Sequence, residues 1–219
     1  MLKNLICIIS LGILVSGCSS ESRMAFQTIR DAMTTPSDVT ISPAQLYKLP
    51  YAASYARLGD NARALIILAS AKGDERLWVT KEKEALVTRH GRIIRTDDLK
   101  KANFSLHFTS ADPLAGGLKG IAEHPKAEGF VDFMPGYHYG LPFKAQYKVV
   151  GQQTISIAGV QKQLTQVDES YSVPTLDFHT VNHYWLDSHG LVWQSRQQYI
   201  PKLPAIHLTL LKAYRQDLK

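Results

Sequence analysis

From about Tyr51 onward the apolar residues of this 219-residue chain recur at every second position, in short runs cut by turn-forming pairs. A two-residue period puts alternate side chains on opposite faces of an extended strand, so each run reads as a strand with one face buried. Residues 62–71 and 76–80 are predicted strands around the turn Lys72-Gly73-Asp74. The charged tip Lys81-Glu82-Lys83-Glu84 leads into residues 86–89, and His90-Gly91 is a tight hairpin turn into residues 92–96. Residues 103–109 form a further strand.

A polar connector follows between Ser110 and His124, containing Asp112-Pro113-Leu114-Ala115-Gly116-Gly117 and one helical turn. Beyond it, residues 143–150, 154–157 and 160–167 are strands separated by Gly151 and Gly159. Residues 180–186 and 191–199 pair through Asp187-Ser188-His189-Gly190, and residues 205–214 form the last strand. Pro201 and Pro204 fall between strands, where a missing N–H does no harm. The expected fold class is mainly β. The organisation expected is a single β domain over residues 37–219, with two subdomains of about 37–110 and 125–219 and the connector between them.

The start of the chain reads differently. Lys3 precedes an apolar segment from Leu5 to Val15, too short to cross a bilayer as a stop-transfer helix and of the length of a signal-peptide core. Leu14-Val15-Ser16-Gly17-Cys18 closes it. Small residues immediately before a cysteine make this similar to a bacterial lipobox, in which Cys18 is acylated and becomes the new N-terminus. Residues 1–17 are then the signal peptide, and residues 18–36 the lipidated N-terminus with a short helix. In that helix Ser22 is the N-cap, and Phe26, Ile29 and Met33 share one stripe with Ala25 and Ala32. Only Ser19, Ser20 and Glu21 separate the lipid from it, a reach of about 10 Å.

Cysteine usage agrees with that reading. Cys7 lies in the discarded segment, and the remaining 202 residues carry a single thiol, which lipid occupies. The mature chain therefore forms no internal disulfide, and it offers neither a cysteine nucleophile nor a cysteine zinc site. Lys and Arg number 25 against 19 Asp and Glu, a formal charge of +6 to which the leader contributes only Lys3. These charges are scattered, and no one-signed stripe suited to nucleic acid appears.

Two hairpins share a tryptophan-bearing strand and a Leu-Val strand: Leu77-Trp78-Val79-Thr80 with Leu86-Val87, and Tyr184-Trp185-Leu186-Asp187 with Leu191-Val192-Trp193. The echo points to two related antiparallel β units. The second hairpin extends into a longer block, Asn182-His183-Tyr184-Trp185-Leu186-Asp187 followed by Gly190-Leu191-Val192-Trp193-Gln194-Ser195-Arg196-Gln197 and Pro201. This block resembles the hallmark of the YjbF/GfcB family of lipoproteins linked to capsule and exopolysaccharide. Gly91-Arg92-Ile93-Ile94 with Thr96, Asp112-Pro113-Leu114 and Val167-Asp168-Glu169 add to the resemblance, whereas Asp97-Asp98 departs from it where a glycine is expected.

The resemblance implies a lipid-anchored protein of the cell outer membrane, facing the periplasm, and a pseudobarrel of folded antiparallel sheets. It also implies partners among the outer-membrane proteins of polysaccharide export, with the surface polysaccharide itself as a further ligand. Ser19 beside the anchor, where aspartate would signal inner-membrane retention, agrees with outward sorting.

Cys18 is the one functional position that the resemblance carries over. As a recognition surface the aromatic residues stand out: Phe133, Tyr137 and Tyr139 in a Pro- and Gly-rich stretch expected to be an exposed loop between Phe130 and Tyr147, and Trp185 and Trp193 in the hairpin. The tryptophans have a second reading, as apolar cover closing one end of a sheet.

Catalytic patterns are weak. His179 and His183 stand four apart on a strand, about 13 Å from one another, which is no zinc spacing. No metal, cofactor or catalytic residue is expected. Asp168, Glu169 and Asp177 are the carboxylates from which a glycan-modifying pair would be drawn, and as a group they read as surface acids. The function expected is non-enzymatic assistance to the assembly or export of a surface polysaccharide. The alternatives are a glycan-modifying enzyme with paired carboxylates, and a carrier of lipid or lipoprotein.

Overall fold

The computed structural model describes residues 37–97, 99, 103–134 and 136–218. Cys18, the leader and the helix expected between Ser22 and Met33 lie outside these residues. A short helix α1 (Pro43–Lys48) comes first, opened by a reciprocal cap in which Ser42 Oγ accepts from the Gln45 amide and Gln45 Oε1 from the Ser42 amide. Six strands follow: β1 (Ala53–Leu58), β2 (Ala64–Lys72), β3 (Glu75–Val79), β4 (Ala85–Arg89), β5 (Arg92–Asp97) and β6 (Phe104–Phe108). The connector contains a 3₁₀ turn (Pro113–Gly116) and helix α2 (Gly117–Glu123). Six more strands complete the chain: β7 (Lys126–Phe133), β8 (His138–Ile157), β9 (Val160–Val173), β10 (Phe178–Leu186), β11 (Val192–Gln197) and β12 (Ile206–Lys212).

Every strand pairs antiparallel with its neighbour in sequence, and β1 pairs with β12 to close a twelve-stranded barrel. Closure removes the unpaired edges that an open sheet would expose. β6 pairs with β7 across the connector, Phe104 opposite Phe133, so the segments on either side of it build one continuous wall.

The predicted strands appear with shifted ends, and β8 absorbs two of them. β1 and β7 were not among them. The aromatic stretch expected as a loop is a hairpin instead, with only Met134, Gly136 and Tyr137, among the described residues, outside the strands. Pro142 and the glycine just before the stretch, Gly129, each have a structural reason. Pro142 pairs with Phe130, at a point where β9 has not yet joined β8, so one side of the strand lacks a ladder partner. At Gly129 a Cβ would lie 2.1 Å from the His107 carbonyl oxygen, so only glycine allows β6 and β7 to approach there. Phe133, Phe143 and Tyr147 are buried, while Tyr137 and Tyr139 are exposed.

The inner face of the wall is packed with aliphatic and aromatic side chains. Its outer face carries Lys126, Glu128, Lys144, Gln146 and Lys148, all exposed, on β7 and β8. On these two strands a polar outside backs an apolar inside, the reverse of a barrel wall that faces lipid. None of the described helices is long and apolar enough to cross a membrane.

The β8–β9 hairpin outruns the wall and turns at Ala158-Gly159, both at positive φ as a type I′ hairpin turn requires. Ile155, Ile157 and Leu164 from its far end form a second apolar cluster with Tyr55, Leu65, Leu211, Trp185 and Trp193. Tyr55, Leu65, Trp185 and Trp193 alternate with inward-facing Ser54, Ile66, Tyr184 and Val192, so this cluster lies on the outer face of the wall. Trp78, by contrast, points inward, with its indole N–H donated to Thr88 Oγ1 at 2.9 Å. The two tryptophan hairpins thus serve opposite faces.

Candidate functional site

The barrel interior holds a charge. Arg92, the first residue of β5, is fully buried, as is Glu169 of β9, and Arg92 Nη1 donates to Glu169 Oε1 at 2.5 Å. The two residues are brought together by the alternation of their strands. Val167, Glu169, Tyr171 and Val173 all occupy inward positions of β9, and Arg92 enters the interior straight from the His90-Gly91 turn.

Around this pair the polar side chains of four further segments converge. Glu169 Oε1 accepts from Tyr147 OH at 2.5 Å, and Oε2 accepts from Asn182 Nδ2 at 2.9 Å and Tyr184 OH at 2.8 Å. Arg92 Nη2 donates to Tyr147 OH and, at 3.3 Å, to Asp112 Oδ1 of the connector. Tyr184 and Tyr199 share a hydrogen bond of 2.6 Å. Gln197 Oε1 accepts from Tyr199 OH and from the Ile93 amide, while its Nε2 donates to the Gly91 carbonyl and to Ser195 Oγ. Asn182 Oδ1 caps the amide of Gln198 at 2.7 Å.

Burial disfavours charge on Arg92, but Glu169 and the surrounding phenols more than offset it and hold the guanidinium well above its usual range. Burial pushes Tyr147, Tyr171, Tyr184 and Tyr199 well above the ordinary phenol range, so they stay neutral. A carboxylate wrapped by a guanidinium, three phenols and an amide, with no exposed surface, is tied into the structure.

Beside this cluster, at one end of the barrel, lies a half-open cavity of about 390 Å³. Its inner wall is Ile66, Trp78, Leu114, Leu208 and Leu210; its rim includes Asp74, Arg76, His90, His189 and Asp217. The connector forms one side. Gly117 and Gly190 meet backbone to backbone, for a Cβ on Gly117 would stand 2.7 Å from the Gly190 Cα, and this contact clamps the connector against the β10–β11 turn. Gly91 and Ser195 line the cavity and also bond to Gln197, which links it to the buried cluster. Neither Arg92, Asp112 nor Glu169 lines it.

Of the residues expected to form a recognition surface, Phe133 is a core residue, 6% exposed, stacked on His138. Tyr137 and Tyr139 stand out at the β7–β8 turn, 74% and 64% exposed. Trp185 and Trp193 are half-buried beneath the β8–β9 hairpin, where Lys162 Nζ lies 3.4 Å from the Trp193 ring centroid. Trp193 Nε1 donates to Asp187 Oδ2 at 2.7 Å, and Asp187 also accepts from the His189 and Leu191 amides, which fixes the β10–β11 turn. Cys18 is outside the described residues.

The three acids separate. Asp168 sits on the outer wall against His183 at 2.7 Å, Asp177 is exposed, and Glu169, expected among the surface acids, is the most enclosed carboxylate of the barrel. Among the described residues no group of three or more His, Cys, Asp or Glu side chains is placed to hold a metal.

Residues 26–211 match the family described as "Group 4 capsule polysaccharide lipoprotein gfcB, YjbF". This chain belongs to that family. Two relatives from Escherichia coli (strain K12) extend along almost the whole chain. The uncharacterized lipoprotein YjbF is 26% identical over 210 residues, 93% of this chain and 95% of its own length. The uncharacterized lipoprotein GfcB is 24% identical over 200 residues, 90% and 93% respectively. The crystal structure of the hypothetical lipoprotein YmcC from the same organism shares the fold, with a TM-score of 0.69 at 20% identity over 90% of this chain and 98% of that one. Membership of the YjbF family makes this chain a capsule-associated lipoprotein of the cell envelope.

Proposed function

We propose that this protein is a non-enzymatic accessory of surface-polysaccharide assembly or export. It is held in the outer membrane by lipid on Cys18, faces the periplasm, and acts by contact with the export proteins or with the glycan. The observation that carries this reading is the state of the barrel's interior. Its carboxylate is fully buried and spent on Arg92, three phenols and Asn182, while the open cavity at the barrel end is lined by other residues. In a member of a family of capsule polysaccharide lipoproteins, such an interior favours a body that works by binding.

The polar outer wall supports a body that stands in water beside a membrane. Deleting the gene should lower the amount of surface polysaccharide exported, and Cys18→Ala should abolish radiolabelled palmitate incorporation and reproduce that defect. Unchanged export after deletion would overturn the role. A Cys18→Ala form that remains equally processed and membrane-bound would overturn the anchor.

A further inference from the structure

The cavity at the barrel end has the chemistry of a site for sugar rather than for acyl chain. It combines an apolar wall with a polar rim, and the two are needed together for a pyranose, whose C–H faces are apolar and whose edge is a ring of hydroxyls. Trp78 supplies an aromatic surface in the wall, its indole N–H already satisfied by Thr88, so the side chain is pinned in place. Ser195 and Thr88 bring hydroxyls into the lining. At about 390 Å³ the space lies at the small end of ligand pockets, which run from roughly 300 to 1,000 Å³. One or two rings fit; a long polymer does not.

The charge of the rim narrows the class. Arg76 is the lysine- or arginine-type cation among the described lining residues, and it is already engaged, its Nε donating to Asp217 Oδ1 and Oδ2 at 3.1 and 3.0 Å. Asp74 stands beside it, 71% exposed, with His90 Nε2 at 3.8 Å. A rim with two carboxylates, Asp74 and Asp217, against the one guanidinium of Arg76 disfavours a uronic acid and accepts an uncharged sugar.

We infer that the barrel-end cavity between Trp78, the connector and the β10–β11 turn is a binding site for one or two uncharged pyranose units of a glycan. The inference rests on the polysaccharide-linked role proposed above and names the part of the glycan that the body would hold.

Saturation-transfer NMR on the full lipidated chain in nanodiscs tests it, with cellotriose, mannotriose and galactotriose as uncharged probes, trigalacturonate as the acidic one, and palmitate as competitor. At least one uncharged trisaccharide should show transfer, trigalacturonate should show at least fivefold less, and palmitate should not displace the sugar. Ala115→Trp, which inserts an indole into the mouth from an exposed connector position, should cut the signal at least fivefold while leaving the circular dichroism unchanged. Leu210→Phe narrows the cavity from β12 and serves the same purpose if the first variant unfolds.

The site is refuted by absence of transfer to all three uncharged probes, by equal transfer to trigalacturonate, by displacement with palmitate, or by a signal indifferent to both folded variants. Export in cells separates this failure from that of the role. If deletion abolishes export while no sugar binds, only the cavity inference falls; if deletion leaves export intact, the role falls whatever the cavity binds.

Discussion

Removing one member of the buried Arg92–Glu169 pair should cost far more than removing both. Glu169→Gln keeps the shape and one acceptor oxygen for the phenols and Asn182, but it strips the counter-charge that lies 2.5 Å from Arg92 Nη1. The guanidinium is then left with Asp112 at 3.3 Å, on a side chain only 8% exposed. Removing one partner of a buried ion pair destabilises by about 3–5 kcal/mol, a large share of the roughly 5–15 kcal/mol that holds an ordinary domain together. Arg92→Met should cost a similar amount, because Glu169 then loses its counter-charge in the same enclosure.

In the double variant Arg92→Met/Glu169→Gln both charges of the pair go together, Asp112 keeps the bond from the Leu114 amide, and the phenols still find an acceptor. The coupling between the two sites should therefore be at least about 2 kcal/mol, read from a double-mutant cycle. Urea unfolding followed by tryptophan fluorescence gives the numbers. With a slope of roughly 2 kcal/mol per molar, each single variant should lower the midpoint by about 1.5–2.5 M. The double should recover at least half of that loss. Single variants that cost under about 1 kcal/mol, or a double equal to the sum of its singles within about 0.5 kcal/mol, would refute the claim that the pair is a closed structural unit.

Two other outcomes follow from the geometry. Because the folded state holds Tyr147, Tyr171, Tyr184 and Tyr199 above their unfolded values, stability is complete below about pH 10 and is lost as pH rises past it, when only the unfolded chain releases these protons. Absorbance at 295 nm should show these four phenols unionised at pH 11 until the fold is lost, and a native-state titration of all ten tyrosines would contradict this. Gly129→Ala should cost about 2–3 kcal/mol, since its Cβ would meet the His107 carbonyl at 2.1 Å, while Gly116→Ala, with nothing within 4 Å, should stay within about 0.5 kcal/mol. Equal denaturation midpoints for the two glycine variants would show that β6 and β7 have room to separate.

The hairpin grammar was legible because it is local. His90-Gly91 and Asp187–Gly190 are turns whose residues announce positive φ or side-chain capping, and the strands flanking them lie where the alternation puts them. β7 was hidden because Gly129 and the following aromatic, Pro- and Gly-bearing segment mimic a loop. The reason for that glycine is a neighbour 22 positions upstream, which no local window contains. The buried cluster escaped for a related reason. Arg92 and Glu169 are 77 positions apart and belong to non-adjacent strands.

A signal did exist for half of it. Glu169 shares the parity of Val167, Tyr171 and Val173, and a carboxylate on the inward parity of a strand is a buried charge in search of a partner. Ending that strand at residue 167 concealed it. The aromatic residues chosen for recognition scattered between core, outer wall and turn because sequence reports that a ring is present, whereas strand parity and the reach of the β8–β9 hairpin decide which face it serves.

The claim that this body works by contact and not by carboxylate chemistry in its interior is tested most directly by complementation. The Arg92→Met/Glu169→Gln variant, expressed in a strain lacking the gene and matched to wild type in envelope abundance and circular dichroism, should restore surface polysaccharide to the wild-type amount. A folded, correctly localised double variant that leaves the polysaccharide at the deletion level would contradict the account, because the interior charge would then be acting on something other than the fold.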